Sequence, residues 1–425
     1  MIDLTKKPEK ALAVSVIKKG SSKKIAMEHL EELSFLAQTS GAEVVDIVYQ
    51  ELEHPNRSTM LGKGKVEGVN EIIMDEGIDI VIFDDDLTPM QVRNLEKEFN
   101  IKVMDRSGII LDIFATRAKT KAAKTQVELA QLQYLLPRLT RMWTHLSKQH
   151  GGIGTKGPGE TQIETDRRMI RTRIEHLKKT LTQIAKQSAQ KRKNHSGMPR
   201  FGLVGYTNAG KSTLMRSLTG DEKTYVEDKL FATLDTTSRK FELPLGQEAI
   251  LSDTVGFIRK LPANLIASFH STLAEAREAD FLLHVVDVNH DFFRDHIDVV
   301  EKTLETLQID QKNTILVFNK IDQIEDTDEF ELIKEDFPNS IFISAAKGTN
   351  IDQLLNLLQK KYDELSNDFT IMIPYSNSEK LSDLYNLGEV VNRKDTDDGF
   401  EILVRVQDEK KGLFENKFAE FVSSS

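Results

Sequence analysis

Apolar residues in the first 115 positions gather into short runs, with segments of helical spacing between them. Leu12-Ala-Val-Ser-Val-Ile17, Val44-Val-Asp-Ile-Val48, Ile78-Asp-Ile-Val-Ile-Phe83 and Ile101-Lys-Val-Met104 have strand length, and 24–39 and 89–98 read as helices. This alternation predicts a small α/β domain with a mostly parallel sheet over residues 1–115. Its loop Leu61-Gly-Lys-Gly-Lys65 is small and basic, suited to gripping phosphate or nucleic acid, or simply to turning the chain.

The period changes over 116–197. Leu129, Leu132, Leu135, Leu136 and Leu139 lie at helical spacing in 117–148, interrupted by Pro137, and Ile163, Ile170, Ile174, Leu177, Leu181 and Ile184 do so in 160–192. Between them Gly151-Gly-Ile-Gly-Thr-Lys-Gly-Pro-Gly159 has five glycines in nine residues and reads as a loop. Thr161, Glu164 and Thr165 are candidate caps for the second helix. The pattern predicts an antiparallel helical hairpin with a basic tip, then a linker from Lys191 to Pro199.

Residues 198–365 return to strand and helix alternation. Phe201-Gly-Leu-Val204, Ala249-Ile-Leu-Ser252, Phe281-Leu-Leu-His-Val-Val-Asp287, Thr314-Ile-Leu-Val-Phe318 and Ser340-Ile-Phe-Ile343 are predicted strands, and Thr213–Thr219 a helix stopped by Gly220. Residues 366–425 read as a small α+β unit with strands at Thr370–Ile373 and Phe400–Val406 and a helix near 377–387. The predicted fold is thus multidomain α/β: an N-terminal α/β domain, a helical hairpin, a P-loop domain and a C-terminal α+β domain.

Charge adds a partner class to this picture. The 425 residues carry a net charge of −10, yet residues 116–200 hold 19 Lys and Arg against 5 Asp and Glu, a balance of +14, leaving −24 elsewhere. A basic segment in an acidic chain is expected to face something anionic, and RNA is the natural candidate. There is no cysteine, hence no disulfide and no thiolate metal site. No stretch approaches the ~20 apolar residues of a membrane span, and the first residues lack an apolar leader run, so a cytoplasmic protein is expected.

Gly205-Tyr-Thr-Asn-Ala-Gly-Lys-Ser212 fits the phosphate-loop pattern G-x-x-x-x-G-K-[ST], in the strand–loop–helix context that the motif needs. Backbone N–H groups of Gly205, Tyr206, Thr207, Asn208, Ala209 and Gly210 can line a nest for phosphates, extended by Ser212 and Thr213 at the start of the next helix. Lys211 would reach the β- and γ-phosphates, and the Ser212 hydroxyl would ligate Mg²⁺. Asp253-Thr-Val-Gly256 would hold Mg²⁺ through water at Asp253 and touch the γ-phosphate with the Gly256 N–H. Leu230-Phe-Ala-Thr-Leu-Asp235 lies where a switch loop belongs, with Thr233 chosen as the second Mg²⁺ hydroxyl and Thr236 and Thr237 as alternatives.

The base is read by Asn319-Lys320-Ile-Asp322 and by Ser344-Ala345-Ala346. Asp322 can accept from the guanine N1–H and 2-amino groups, which adenine lacks; Asn319 would brace the pocket, and the 344–346 backbone could donate to O6. GTP and GDP are therefore the expected ligands. Phe257 stands where many GTPases carry the glutamine that orients water, so intrinsic hydrolysis is expected to be slow and completed by a partner. The Asn208 side chain could hold K⁺ against the phosphates, making K⁺ a second candidate cofactor beside Mg²⁺.

These motifs resemble the HflX-type GTPases of the Obg–HflX group. More specific matches lie upstream, at Gly62-Lys-Gly-Lys65, Gly151 to Glu160 and Glu164-Thr-Asp-Arg-Arg168, while Pro262-Ala-Asn264 departs from the family pattern. The resemblance implies a bacterial cytoplasmic protein, monomeric when free, that binds the large ribosomal subunit, the 70S ribosome and rRNA in its GTP form, and splits stalled or hibernating ribosomes. The alternative is a GTP-gated RNA-binding or assembly factor that never separates subunits. A tRNA-modifying GTPase with a terminal cysteine and a ferrous-iron transporter are disfavoured, the first by the absence of cysteine and the second by the absence of a span.

Overall fold

The computed structural model describes residues 7–139, 158–192, 198–220, 230–231, 237–262, 265, 274–311, 313–364 and 366–422. The chain opens with β1 (Glu9–Lys18), α1 (Lys23–Ser40), β2 (Ala42–Leu52), α2 (Lys63–Glu76), β3 (Ile80–Phe83), α3 (Pro89–Phe99) and β4 (Lys102–Asp105). The four strands are parallel in the order β2-β1-β3-β4. Alternate residues of β1 and β3 feed two cores, as a period of two requires. Ala11, Ala13, Ile80 and Ile82 pack with Leu30, Leu33 and Leu36 of α1. Leu12, Val14, Val81 and Phe83 pack with Val66, Val69 and Ile73 of α2 and Leu95 and Phe99 of α3.

Gly62-Lys-Gly-Lys65 is not a free loop. Gly62 is the extended N-cap of α2, and Lys63 to Lys65 form its first turn. Thr88 and Gln91 close a capping box around Pro89 at the start of α3.

The helix expected over 117–148 is found from Lys121 to Leu135 and gives way to a turn over 136–138, around Pro137, while the helix that precedes it was not expected. Helix α4 (Arg106–Arg117) is capped by Asp105, and α5 (Lys121–Leu135) starts afresh at Thr120, whose hydroxyl accepts from the Ala123 N–H. Asp105 also anchors the C-terminal end of α5: its carboxylate accepts from Tyr134 at 2.7 Å and from Arg138 at 2.7 Å. Helix α6 (Pro158–Arg192) packs Ile174 and Leu177 on Leu129 of α5, with Arg173 paired to Glu128. Because α6 begins at Pro158, positions 161, 164 and 165 lie inside it and not at its N-cap. The glycine-rich segment up to Gly157 lies outside the described residues.

The second sheet region runs β5 (Arg200–Gly205), α7 (Lys211–Thr219), β6 (Thr237–Glu242), β7 (Glu248–Asp253), α8 (Ala274–Arg277), β8 (Phe281–Asp287), α9 (Phe293–Thr306), β9 (Thr314–Asn319), α10 (Thr327–Asp336), β10 (Ile341–Phe342) and α11 (Ile351–Glu364). Its strands lie in the order β10-β9-β8-β5-β7-β6, with only β6 antiparallel to its neighbour among the described residues. Phe201, Leu203, Leu251, Leu283, Val285 and Val317 form its core. The C-terminal unit is β11 (Ser366–Pro374), α12 (Lys380–Leu387), β12 (Glu389–Thr396), β13 (Gly399–Gln407) and α13 (Asp408–Phe418), an antiparallel sheet in the order β11-β13-β12. The sequence pattern missed β12 and α13: β12 is a mostly exposed edge strand with little apolar alternation.

Candidate active site

The phosphate loop leaves β5 near the middle of the six-stranded sheet and enters α7, the switch-point position at which such sheets bind nucleotides. Gly205, Asn208 and Gly210 all have positive φ, at 151°, 61° and 93°. Glycine meets this demand without strain, and asparagine is among the residues that tolerate the left-handed region. The result is the concave backbone that the motif predicts. Asn208 is exposed at its rim, and Thr213 is half-buried in the first turn of α7.

Lys211 lies under this loop. Its Nζ donates to the carbonyls of Gly205 at 3.0 Å and Tyr206 at 2.7 Å. Burial pulls its pKa down to about 8, opposed by the charge of Asp253. Ser212 Oγ donates to Asp253 Oδ2 at 2.9 Å, which brings the hydroxyl and the carboxylate chosen for Mg²⁺ side by side. Gly256 is packed so closely that an added Cβ would lie 2.9 Å from Thr207 Cγ2 and 3.1 Å from Lys211 Nζ. Any side chain there would push into the space around the lysine.

At the base end, Asn319 ties two loops together. Its Nδ2 donates to the Ala209 carbonyl and its Oδ1 accepts from the Ala345 N–H, both at 2.9 Å. Lys320, at φ 68°, pairs with Asp287 at 2.6 Å. Asp322 is exposed in the short turn after β9, Ser344 and Ala345 are buried, and Ala346 is exposed. Thr233 and Thr236 lie outside the described residues, while Thr237 opens β6. The motif expects Asp322 to accept twice from a guanine edge, and replacing it with Ala would remove both acceptors. At about 1.5–3 kcal/mol for each hydrogen bond to a charged group, GTP affinity is expected to fall about 10²-fold or more, with ATP binding unaffected. Equilibrium binding of the two nucleotides checks this.

Residues 27–115, 117–195 and 200–320 match families described as GTP-binding GTPase N-terminal, GTP-binding GTPase Middle Region and 50S ribosome-binding GTPase. A protein named GTPase HflX from Caldanaerobacter subterraneus subsp. tengcongensis is 41% identical over 98% of this chain and 95% of its own length. The chain belongs to the HflX family of GTPases. Similar HflX relatives include one from Flavobacterium psychrophilum, 54% identical over 74% of this chain and 76% of its own, and one from Escherichia coli K12, 41% identical over 88% of each.

In this HflX-family chain the N-terminal domain packs directly on the phosphate loop, an arrangement that sequence reasoning missed. Tyr206, whose backbone N–H is expected to line the phosphate nest, turns its ring toward the N-terminal domain. Its hydroxyl donates to Glu32 of α1 and accepts from the Arg259 N–H at 3.0 Å, and its ring stacks on His296. Glu32 also accepts from Arg106 at 2.5 Å and Arg259 at 2.9 Å. Asp84 accepts from Arg106 and Lys260, each at 2.8 Å. Burial pushes both carboxylates upward, but the neighbouring cations, Arg106 first, outweigh it and hold them below their ordinary values. The segment just after Asp253-Thr-Val-Gly256 is therefore clamped by Glu32, Asp84 and Arg106 of the N-terminal domain.

Apolar contacts take the same path. Phe257 is 2% exposed and sits in one buried cluster with Ile258, Leu230, Phe231 and residues Ile109, Ile110, Ile113 and Phe114 of α4. The Phe114 and Phe231 rings meet edge to face at 4.5 Å. The Phe257 backbone pairs with the phosphate loop, its N–H donating to Gly205 and its carbonyl accepting from Thr207. Its side chain is core, with no means of holding water.

Proposed function

We propose that this chain binds the large ribosomal subunit in its GTP form and dissociates stalled or hibernating ribosomes, with the ribosome stimulating hydrolysis. The observation that carries this reading is the buried ring of Phe257. The position that aligns water in many GTPases is here committed to the contact with the N-terminal domain. A partner must then complete the site, and the description 50S ribosome-binding GTPase for residues 200–320 supports the ribosome as that partner.

Each group has its own part in the reaction. The nest of 205–210 and the α7 N-terminus bind the phosphates, and Lys211 neutralises charge on the β- and γ-oxygens. Ser212, Asp253 and Thr233 would hold Mg²⁺, which would supply positive charge to offset that of the phosphates. Asn319, Asp322 and the 344–346 backbone select guanine. GTP orders the loops around Thr233 and Gly256, and the Arg259–Glu32 and Lys260–Asp84 contacts carry that change to the N-terminal domain. Arg168, Arg171, Lys178, Lys179 and Lys186 are exposed on α6 and supply a cationic face for rRNA phosphates.

Sucrose-gradient profiles of 70S particles with the chain and a non-hydrolysable GTP analogue test the splitting step. Conversion to subunits is the expected result, and a parallel profile with GTP shows whether binding free energy suffices or hydrolysis is needed. Intact 70S particles with the chain bound only to free large subunits would establish the GTP-gated RNA-binding alternative instead.

A further inference from the structure

We propose that Glu28, His290 and His296 form a site for a divalent transition-metal ion, of zinc-like chemistry, that fastens the N-terminal domain to the GTPase domain. Glu28 lies on α1, His290 in the turn before α9, and His296 in the first turn of α9. One donor atom from each lies within 4.8 Å of the other two, and all three residues are half-buried. His296 Nε2 is 3.8 Å from Glu28 Oε1, and the two imidazole centroids are 4.4 Å apart.

Two imidazoles and a carboxylate form a donor set found around zinc, with a fourth position left for water. Bonds of about 2.0–2.1 Å to a tetrahedral ion put donors about 3.3 Å apart, so side-chain rotations on the order of an ångström close the set. His290 Nδ1 accepts from the Phe292 N–H at 3.1 Å, and binding an ion through this nitrogen displaces that hydrogen bond. His296 stacks flat on Tyr206 at 3.8 Å, which fixes its ring and leaves the nitrogens at its edge.

A second observation points to a polar occupant. The three donors line a cavity of about 220 Å³, and so do Thr207 and His284. Both are more than nine-tenths buried. Neither Thr207 Oγ1 nor His284 Nε2 meets a hydrogen-bond partner among the described residues. Buried polar atoms are rarely left this way, which marks the cavity as one made for a polar occupant on the side of the phosphate loop and Lys211. Of the other carboxylates lining the cavity, Glu32 is paired with Arg106 and Arg259 and Asp287 with Lys320, which leaves Glu31 to add negative charge. The cavity adjoins the phosphate loop, since Tyr206 to Ala209 also line it, but Ser212 and Asp253, the Mg²⁺ residues, belong to neither the donor set nor this lining. An ion here joins α1 to α9 beside the phosphate loop and stabilises the docked arrangement of the two domains.

Cobalt(II) is the direct probe. Four-coordinate cobalt with nitrogen donors absorbs strongly in the visible, whereas an all-oxygen octahedral site such as that of Mg²⁺ absorbs weakly. Titrating the untagged, chelator-treated full chain without nucleotide is expected to give a strong band saturating at one equivalent and displaced by Zn²⁺. Glu28→Gln and His290→Ala should each weaken Zn²⁺ binding at least about 100-fold, since loss of a ligand costs more than loss of its supporting partners. GTP affinity should be retained in both, which shows that the variants are folded. Absence of the band in the unaltered chain, or a band unchanged in both variants, would overturn the proposal.

Discussion

Replacing Lys211 with alanine is expected to lower kcat for GTP hydrolysis by about 10²–10³-fold, the usual consequence of removing one preorganised donor from a developing negative charge. The lysine is buried against the loop it serves, with Nζ already at the carbonyls of Gly205 and Tyr206. Little reorganisation is needed when phosphates arrive. Arginine is not expected to rescue, because Thr207 and the close approach of Gly256 leave no room for a larger head group. Single-turnover kinetics check both variants.

The same lysine gives a pH dependence whose sign can be worked out. Burial sets its pKa to about 8 in the nucleotide-free site, and bound phosphates raise it. Nucleotide binding then takes up a proton wherever the free lysine is neutral. Affinity is highest below pH 8 and falls as pH rises above it, by up to about tenfold per unit until the bound pKa is reached. Affinity measured from about pH 7 to about pH 10 should show this bend, and Lys211→Ala should remove it.

Replacing Arg106 with methionine is expected to cost about 3–5 kcal/mol, as breaking a buried ion network does. Arg106 is 1% exposed, and it bridges Glu32 and Asp84. Its loss leaves two carboxylates facing each other in the domain contact, with only Arg259 and Lys260 to compensate. Neutralising the partners in the same chain, with Glu32→Gln and Asp84→Asn, should recover much of the loss, since the single change is costly mainly through the charges it strands. Denaturation of the unaltered chain, the single variant and the triple variant measures this, and a cost under about 1 kcal/mol for Arg106→Met would show that the network does not hold the domains. A pH dependence arises from the depressed carboxylates. Their contribution is present above the ordinary carboxylate range and is lost as pH falls through their lowered values.

The phosphate loop was legible because it is local: Gly205, Gly210, Lys211 and Ser212 lie within eight residues, and the strand and helix around them obey their own periods. The two faces of β1 and β3 were legible as apolar runs for the same reason. The domain contact was not. Arg106 meets residues 74 and 22 positions away, and Arg259 meets Glu32 across 227, so no spacing rule links them. Tyr206 read as a loop residue because the motif fixes its backbone, whereas its ring answers to α1 and α9. Helix α4 was not legible because it is buried on nearly every side: Ile109, Ile110, Leu111, Ile113 and Phe114 are all core, which hides the helical period. Phe257 was recognised as lacking a water-binding group, but only the fold shows what its ring is for.

The most direct test of an incomplete catalytic site is the GTP hydrolysis rate with and without purified large ribosomal subunits. A rise of several orders of magnitude, as when a partner supplies missing groups to a GTPase, is the predicted result. An unchanged rate with GTP binding intact would contradict it, and would mean that residues already in this chain position the attacking water.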